Sequence, residues 1–211
     1  ALSGLLHGYI SVYSIVRVNP WLEDVYGSQW DIHERIREIA GELADLIKDP
    51  SVTLEDRVGH IADLMEAYLT YSDMDFLDIA LDAAYGIISP EGRDEIVLPC
   101  RTPEMCRLLC SCYYFTGEER CAELAGEIIK ERGTEIFNKS VEEPLENRWN
   151  WYRAEEFYEN IIGEEKHEKV KNMLMLEEEF WKQFGKDIDS KDLTVSTLCF
   201  DNLALKEYSL I

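Results

Sequence analysis

The segment of this sequence richest in recognition chemistry is NRWNWY, residues 147–152. Indole and phenol rings stack on the apolar faces of a ligand, amide and guanidinium groups bind its hydroxyls, and such mixtures line ligand pockets. Trp149, Trp151 and Tyr152 are therefore candidate ligand-binding residues. The alternative is that these rings open the apolar face of a helix and pack in the core, as aromatic residues at helical spacing usually do. A ligand site requires at least one of the two indole faces to be accessible to solvent.

Two charged residues beside a predicted helix start are candidates for acid–base chemistry and for binding. Arg101 and Glu104 flank Thr102-Pro103, a capping residue followed by proline at the first helical position. A carboxyl group acts as general acid or base when burial raises its pKa, so Glu104 is a candidate catalytic residue and Arg101 a candidate ligand-binding residue. The alternative for Glu104 is that its carboxylate stabilises the positive end of the helix dipole.

The histidines and cysteines do not predict a metal centre. His60 and Asp63 are three residues apart on one predicted helix, but His7, His33 and His167 share no ligand spacing with them, and zinc needs three or four converging ligands. The six cysteines contain no CxxC pair. We expect no metal and no cofactor. We expect reduced, buried cysteines, which favours a reducing, cytoplasmic compartment.

The charge balance argues against several classes of partner. The chain has 21 Lys and Arg against 43 Asp and Glu, a net charge of −22. Nucleic acids and anionic membrane surfaces require a basic stripe, so neither is an expected partner. The sequence has no run of about 18 apolar residues, so no transmembrane helix is expected. The acidic excess fits a well-solvated surface, and the alternative is a surface that binds cations or a basic partner.

The apolar residues recur at helical spacing and predict an all-α fold with about eight main helices. Ser28, Thr53 and Thr102 are predicted N-caps, because each can accept a hydrogen bond from the first helical turn. A short extended piece is predicted at 96–98, and residues 186–211 fit either strand or helix. In the helix that follows Ser72-Asp73, four residues are predicted to be buried. They are Phe76, Ala80, Ala83 and Ile87.

A phrase recurs along the chain and predicts how the helices are arranged. GEER at 117–120 returns as GEEK, 46 residues on when counted from Gly117 to Gly163, and a looser copy lies at 72–80. A repeat of this length built from paired helices predicts a stacked or curved α/α-hairpin array, and residues 1–211 are predicted to form a single domain. In such an array six positions are predicted to be buried. They are Val58, Ile61, Leu108, Cys112, Leu124 and Ile128.

Residues 112–125, CYYFTGEERCAELA, resemble the hairpin repeat of the six-hairpin (α/α) toroid superfamily, which includes many glycan-acting hydrolases and lyases. Tetratricopeptide-like arrays are the competing resemblance. Six hairpins exceed 211 residues, so the resemblance implies a partial toroid or a curved superhelix. Toroid enzymes carry their chemistry at one rim, near the starts of the inner helices. The positions that match this rim are Asp56, Arg101, Glu104, Trp149 and Trp151.

Two functional hypotheses follow. Glycosidic cleavage uses a pair of carboxylates, so the resemblance makes Asp56 the catalytic partner of Glu104. The sequence has no phosphate loop, dinucleotide fingerprint, zinc-protease motif or nucleophile elbow. The first hypothesis is therefore a non-catalytic helical-repeat module that binds a glycan or a protein on its concave face. The alternative is a glycan-acting hydrolase or lyase of the toroid type, or a degenerate relative.

Overall fold

The computed structural model describes residues 2–90, 96–133 and 145–162, and every regular element in these ranges is helical. The all-α prediction is confirmed for this part of the chain. The main helices are α1 (Leu2–Val18), α2 (Glu23–Tyr26), α3 (Gln29–Lys48), α4 (Leu54–Tyr71), α5 (Met74–Ile88), α6 (Pro103–Thr116), α7 (Glu119–Ile128) and α8 (Leu145–Ile161). A 3-10 turn at Pro20–Leu22 joins α1 to α2, and a π-helical turn at Ile129–Gly133 follows α7.

The predicted helix starts are confirmed by the capping contacts. The side chains of Ser28, Thr53 and Thr102 each accept a hydrogen bond from the backbone N–H three residues later, at the starts of α3, α4 and α6. A cap of this type contributes about 1 kcal/mol to helix stability. The end of α6 is equally local in origin, because Gly117 adopts the left-handed conformation (φ 73°) that closes the helix.

The core forms around α4, which packs against α1, α3, α5 and α6. Helix α6 in turn packs against α7 and α8, and every residue from 105 to 112 is buried. All six positions that the array predicts to be buried are buried. The largest fully buried side chains are Leu6, Ile36, Ile39, Leu43, Ile61, Leu64, Met65, Ile88, Met105, Leu108, Leu109 and Ile128.

The face that α5 buries differs from the prediction. Ala80 is buried as predicted, but Phe76, Ala83 and Ile87 are only half-buried. The buried residues of α5 are Leu77, Ala80, Ala84 and Ile88. Because α5 packs against α3 as well as α4, its apolar arc is wide, and the sequence pattern alone does not give the centre of that arc. The predicted extended piece at 96–98 forms no strand within the described residues. Instead, the Val97 N–H donates to the Ile88 carbonyl oxygen at 2.7 Å.

Several predictions fall outside the described residues: the second copy of the repeat phrase at 163–166, the helix expected after it, and the segment 186–211. The cysteines that the structure describes are free thiols. Cys100 is half-buried, and Cys106, Cys110, Cys112 and Cys121 are buried. Among the described helices, none is both long and apolar enough to cross a bilayer.

Two glycines give a matched test of the packing between α7 and α8. A Cβ added at Gly41, in the middle of α3, meets nothing within 4 Å, whereas a Cβ at Gly126 in α7 lies 3.0 Å from the Tyr158 hydroxyl. We expect Gly41→Ala to raise the free energy of unfolding by roughly 0.5–1 kcal/mol, the usual helix-propensity gain. We expect Gly126→Ala to lose most of this gain, because Tyr158 must move. Urea denaturation measures both changes, and an equal gain in the two variants would contradict the close α7–α8 contact.

Candidate functional site

The most unusual feature of the described structure is a group of charged side chains in its interior, which we call the charge cluster. It comprises His7 of α1, Asp63 and Glu66 of α4, Arg107 of α6 and Arg153 of α8. The Asp63 and Arg107 side chains are 3% and 6% exposed, and Arg153 at 25% lies nearest to solvent. The charge cluster thus joins four helices and extends from the core towards the surface.

Local sequence and packing explain why these groups meet. Asp63 and Glu66 are three residues apart, so they project from one face of α4. Arg107 lies in the fully buried stretch of α6, where its guanidinium cannot reach bulk water. A buried cation is tolerated only when anions and hydrogen bonds compensate it. The two α4 carboxylates provide this compensation.

The contacts form a continuous chain of ion pairs. Arg107 donates from Nη2 to Asp63 Oδ1 at 2.5 Å and from Nε to Glu66 Oε1. Arg153 Nη2 donates to Glu66 Oε2 at 3.0 Å. Glu66 is therefore held between two guanidinium groups, and Arg107 bridges both carboxylates. Such charge-assisted bonds are shorter and stronger than neutral ones.

The position of the His7 ring fixes one of its protons. Its Nε2 lies 2.8 Å from Asp63 Oδ1 and 3.1 Å from Arg153 Nη2. An ionised carboxylate only accepts hydrogen bonds, so the short contact with Asp63 requires a proton on Nε2. The same nitrogen then cannot accept from Arg153, whose guanidinium is oriented by Glu66. His7 therefore acts as a donor to Asp63.

The charge cluster keeps its carboxylates ionised. Burial alone would raise the pKa of Asp63, but the charge of Arg107, the hydrogen bond from His7 and the charge of Arg153 outweigh burial and hold this pKa well below its ordinary value. The same balance, again led by Arg107, lowers the pKa of Glu66. Burial would lower the pKa of Arg107, and the two carboxylates instead raise it above its usual value. A general acid needs a carboxyl pKa raised towards neutrality, so Asp63 and Glu66 are unsuited to that role.

The candidate residues at the starts of α4 and α6 lie at the same end of the molecule. A Cβ on Gly59 of α4 would lie 3.5 Å from Glu104 Cγ of α6, and Glu104 is half-buried beside it. Burial raises the pKa of the Cys100 thiol, and the charges of Glu55 at the start of α4 and Glu104 at the start of α6 raise it further. Both glutamates therefore lie near this thiol. The N-terminal ends of α4 and α6 are therefore neighbours.

Two of these candidates have structural partners. Asp56 is exposed, its Oδ2 accepts from Thr53 Oγ1 at 2.6 Å, and its N–H donates back to that oxygen at 3.1 Å. This is a reciprocal cap of α4. Arg101 is exposed, and its Nη1 lies 2.7 Å from Glu131 Oε2 in the turn after α7. The first contact caps α4, and the second joins the segment before α6 to the turn after α7.

The structure places only one of the three aromatic candidates for ligand binding. Trp151 is 4% exposed and belongs to the core, so it presents no indole face to a ligand. For this residue the packing alternative holds, because α8 lies against the buried helix α6. The side chains of Trp149 and Tyr152 lie outside the described part of the structure, and their binding roles stay predictions.

A second feature, which sequence reasoning missed, is a group of exposed apolar side chains that extends from the end of α1 to the start of α3. We call it the Trp21–Trp30 surface. It consists of Val18, Trp21, Val25, Tyr26 and Trp30. Trp21, Val25 and Trp30 are each 69–70% exposed. The available signal was the spacing of Pro20 and Gly27, which leaves only two short helical turns between them. Within these turns Leu22 packs against the core, while Trp21 and Val25 stay exposed.

A polar cleft lies beside α3, where α4 ends and α5 begins. Its volume is about 380 Å³, and it is lined by His33, Arg37, Ser72, Asp73, Met74 and Asp75.

Among the described residues, no group of three or more His, Cys, Asp and Glu side chains is arranged to hold a metal ion. The comparisons with known proteins find no matching family model, no matching curated protein and no matching solved structure.

Proposed function

We propose that this chain is a non-catalytic helical module that binds a protein partner through the Trp21–Trp30 surface. The observation that supports this proposal best is the concentration of exposed apolar side chains. Among the described residues, five of the eight large hydrophobic residues found exposed lie between residues 18 and 30. Single exposed apolar residues are ordinary, whereas large exposed apolar side chains concentrated in one short segment favour an interaction site. Tryptophan and tyrosine are the residue types that most often dominate the binding energy of protein interfaces.

The electrostatics of the interior fit a structural role for the charge cluster. Asp63 and Glu66 are the two carboxylates of the charge cluster, and their pKa values are lowered. Groups of this kind fix the packing of helices instead of exchanging protons, and a buried ionic cluster can specify one arrangement of helices over others. We therefore assign the charge cluster to the scaffold.

We also propose the hairpin array as the architecture of this module. Its support is the order of packing: α1 with α3, α4 with α5, and α6 with α7 form successive pairs, and each pair packs against the next. Sequential contact of this type is what a stacked array requires. The contact of His7 with Arg153 joins the first pair to α8, which fits a curved arrangement.

The glycan-acting enzyme is the second candidate. It is favoured by the neighbouring starts of α4 and α6, which bring Glu104 to the end of the molecule that carries Asp56. This hypothesis requires Asp56 to leave its cap on Thr53 when substrate binds. Incubation with oligosaccharides, followed by assay of new reducing ends, tests it directly. Release that is lost in both Glu104→Gln and Asp56→Asn would establish the enzyme and overturn the non-catalytic proposal.

The binding proposal predicts a local effect of substitutions. A photo-crosslinking side chain placed at Val25 should capture a discrete protein, and the same group at Tyr114, which is 57% exposed on α6, should not. The captured protein, once purified, should bind Trp21→Ala and Trp30→Ala at least about tenfold more weakly than the unchanged chain, as for central aromatic anchors. Isothermal titration calorimetry provides the measurement.

Tyr114→Ala is the matched control, because it also removes an exposed aromatic ring. Equal weakening by Tyr114→Ala, or unchanged affinity in both tryptophan variants, would contradict the proposed surface. A saturable response to an oligosaccharide that depends on Trp21 and Trp30 would instead identify a glycan as the ligand.

A further inference from the structure

We propose that the Trp21–Trp30 surface continues along α3 into the polar cleft, and that the combined strip binds a cationic amphipathic helix of a partner protein. An apolar side chain of that helix would pack on Trp30, and a Lys or Arg about two helical turns away would enter the cleft beside Asp73 and Asp75. This inference rests on the proposed protein-binding function and adds the chemistry of the partner.

The continuity of the strip comes from the geometry of α3. Trp30, His33 and Arg37 are spaced i, i+3 and i+7, so they lie on one face of the helix. The Trp30 and His33 rings stack with centroids 5.8 Å apart and an interplanar angle of 14°. His33 and Arg37 both line the cleft. Seven residues of α-helix rise by about 10 Å, which sets the distance from the aromatic end of the strip to the cleft.

The cleft is formed at the short connection between α4 and α5. Helix α4 ends at Tyr71, and the next residue, Ser72, adopts the left-handed conformation (φ 61°). The Asp73 side chain then caps α5 by accepting from the Asp75 N–H at 3.1 Å. Asp75 follows in the exposed first turn of α5. Asp73 and Asp75 both line the cleft at this junction.

The charge of the strip selects a cation. Arg37 is the cleft's guanidinium, and its Nε lies 3.9 Å from Asp73 Oδ2, a long contact between partly exposed groups that contributes little. Arg37 faces Asp73 and Asp75, so carboxylates outnumber guanidinium groups among the residues that line the cleft. Complementary potential favours a basic partner and raises its association rate.

The alternatives fit less well. The net charge of −22 would repel an anionic peptide or a nucleic acid, and it would equally repel a second copy of this acidic chain. A polar surface alone would suit many ligands. The exposed Trp30 beside the cleft adds an apolar contact, on which the apolar face of an amphipathic helix can pack. Helices bind such grooves through apolar residues spaced over two turns.

The test uses the full chain and a synthetic amphipathic helical peptide that carries Leu and Lys seven residues apart, with fluorescence anisotropy as the readout. We expect saturable binding that weakens as NaCl rises from roughly 50 to 300 mM, because exposed ion pairs are screened. A peptide with every Lys replaced by Glu should bind at least about tenfold more weakly if charge complementarity holds. Equal binding of the two peptides, or no binding of the Lys peptide, would overturn the proposal.

Matched variants separate this inference from the function on which it rests. Asp75→Lys should weaken binding at least tenfold, by analogy with other repulsive contacts at interfaces. Glu119→Lys should leave binding unchanged, although it also removes an exposed acid from the first turn of a helix, α7. Trp30→Ala tests the apolar anchor. Loss in Trp30→Ala with no loss in Asp75→Lys would keep the protein-binding surface and overturn the cation site. Unchanged binding in both would overturn both proposals.

Discussion

Arg107→Met is expected to lower the free energy of unfolding by about 3–5 kcal/mol, the usual effect of leaving a buried ion without its partner. Arg107 is the cation that bridges Asp63 and Glu66, and Met keeps most of its volume while removing its charge and its donors. Both carboxylates would then stand in a poorly solvated site with only Arg153 and His7 near them. Urea denaturation at neutral pH measures the loss.

The control for this prediction is an arginine with an exposed partner. Arg120 lies 2.8 Å from Glu123 on the surface of α7, and its side chain is 43% exposed. Because exposed pairs contribute about 0–1 kcal/mol, Arg120→Met should change stability little. Similar losses in the two variants would show that Arg107 contributes no more than a surface residue, which would contradict the charge cluster as a determinant of the fold.

Acid is expected to remove the stabilisation that the charge cluster provides. The folded-state pKa values of Asp63 and Glu66 lie below the unfolded values of about 3.9 and 4.3. A group with a lowered folded pKa stabilises the fold above its unfolded pKa, and this contribution is lost as the pH falls through the folded value. We therefore expect full stabilisation above roughly pH 5 and a progressive loss below it, of order 2–3 kcal/mol for one such carboxylate.

The sharpest readout is the difference between the unchanged chain and Arg107→Met. Protonation of the many exposed acids relieves repulsion in this chain of net charge −22, and this relief is common to both proteins. Without Arg107, burial should raise the two carboxyl pKa values, so the variant's deficit in unfolding free energy should shrink as the pH falls from 7 to 3. A deficit that stays constant over this range would contradict the assigned ionisation of Asp63 and Glu66.

The sequence by itself determined the local features of this fold. The starts of α3, α4 and α6 were predictable because Ser28, Thr53 and Thr102 bond to N–H groups only three residues away. The burial of Val58 and Leu124 followed from helical periodicity for the same reason, since the repeat of an α-helix is a property of neighbouring residues. The helical class of the described chain needed no knowledge of distant contacts.

Tertiary structure decided which charged groups meet. Spacing along α4 suggested His60 as the neighbour of Asp63, but the partner of Asp63 is His7, 56 residues away in sequence. Arg153 reaches Glu66 across 87 residues, and no local pattern marks either residue as a partner. The exposure of Trp21 and Val25 is likewise decided by packing, whereas helical spacing already places Trp30 on the face of α3 opposite the buried Ile32. Helical spacing is set by bonds a few residues apart, whereas the choice of partner and of exposed face is set by how separate helices pack against one another.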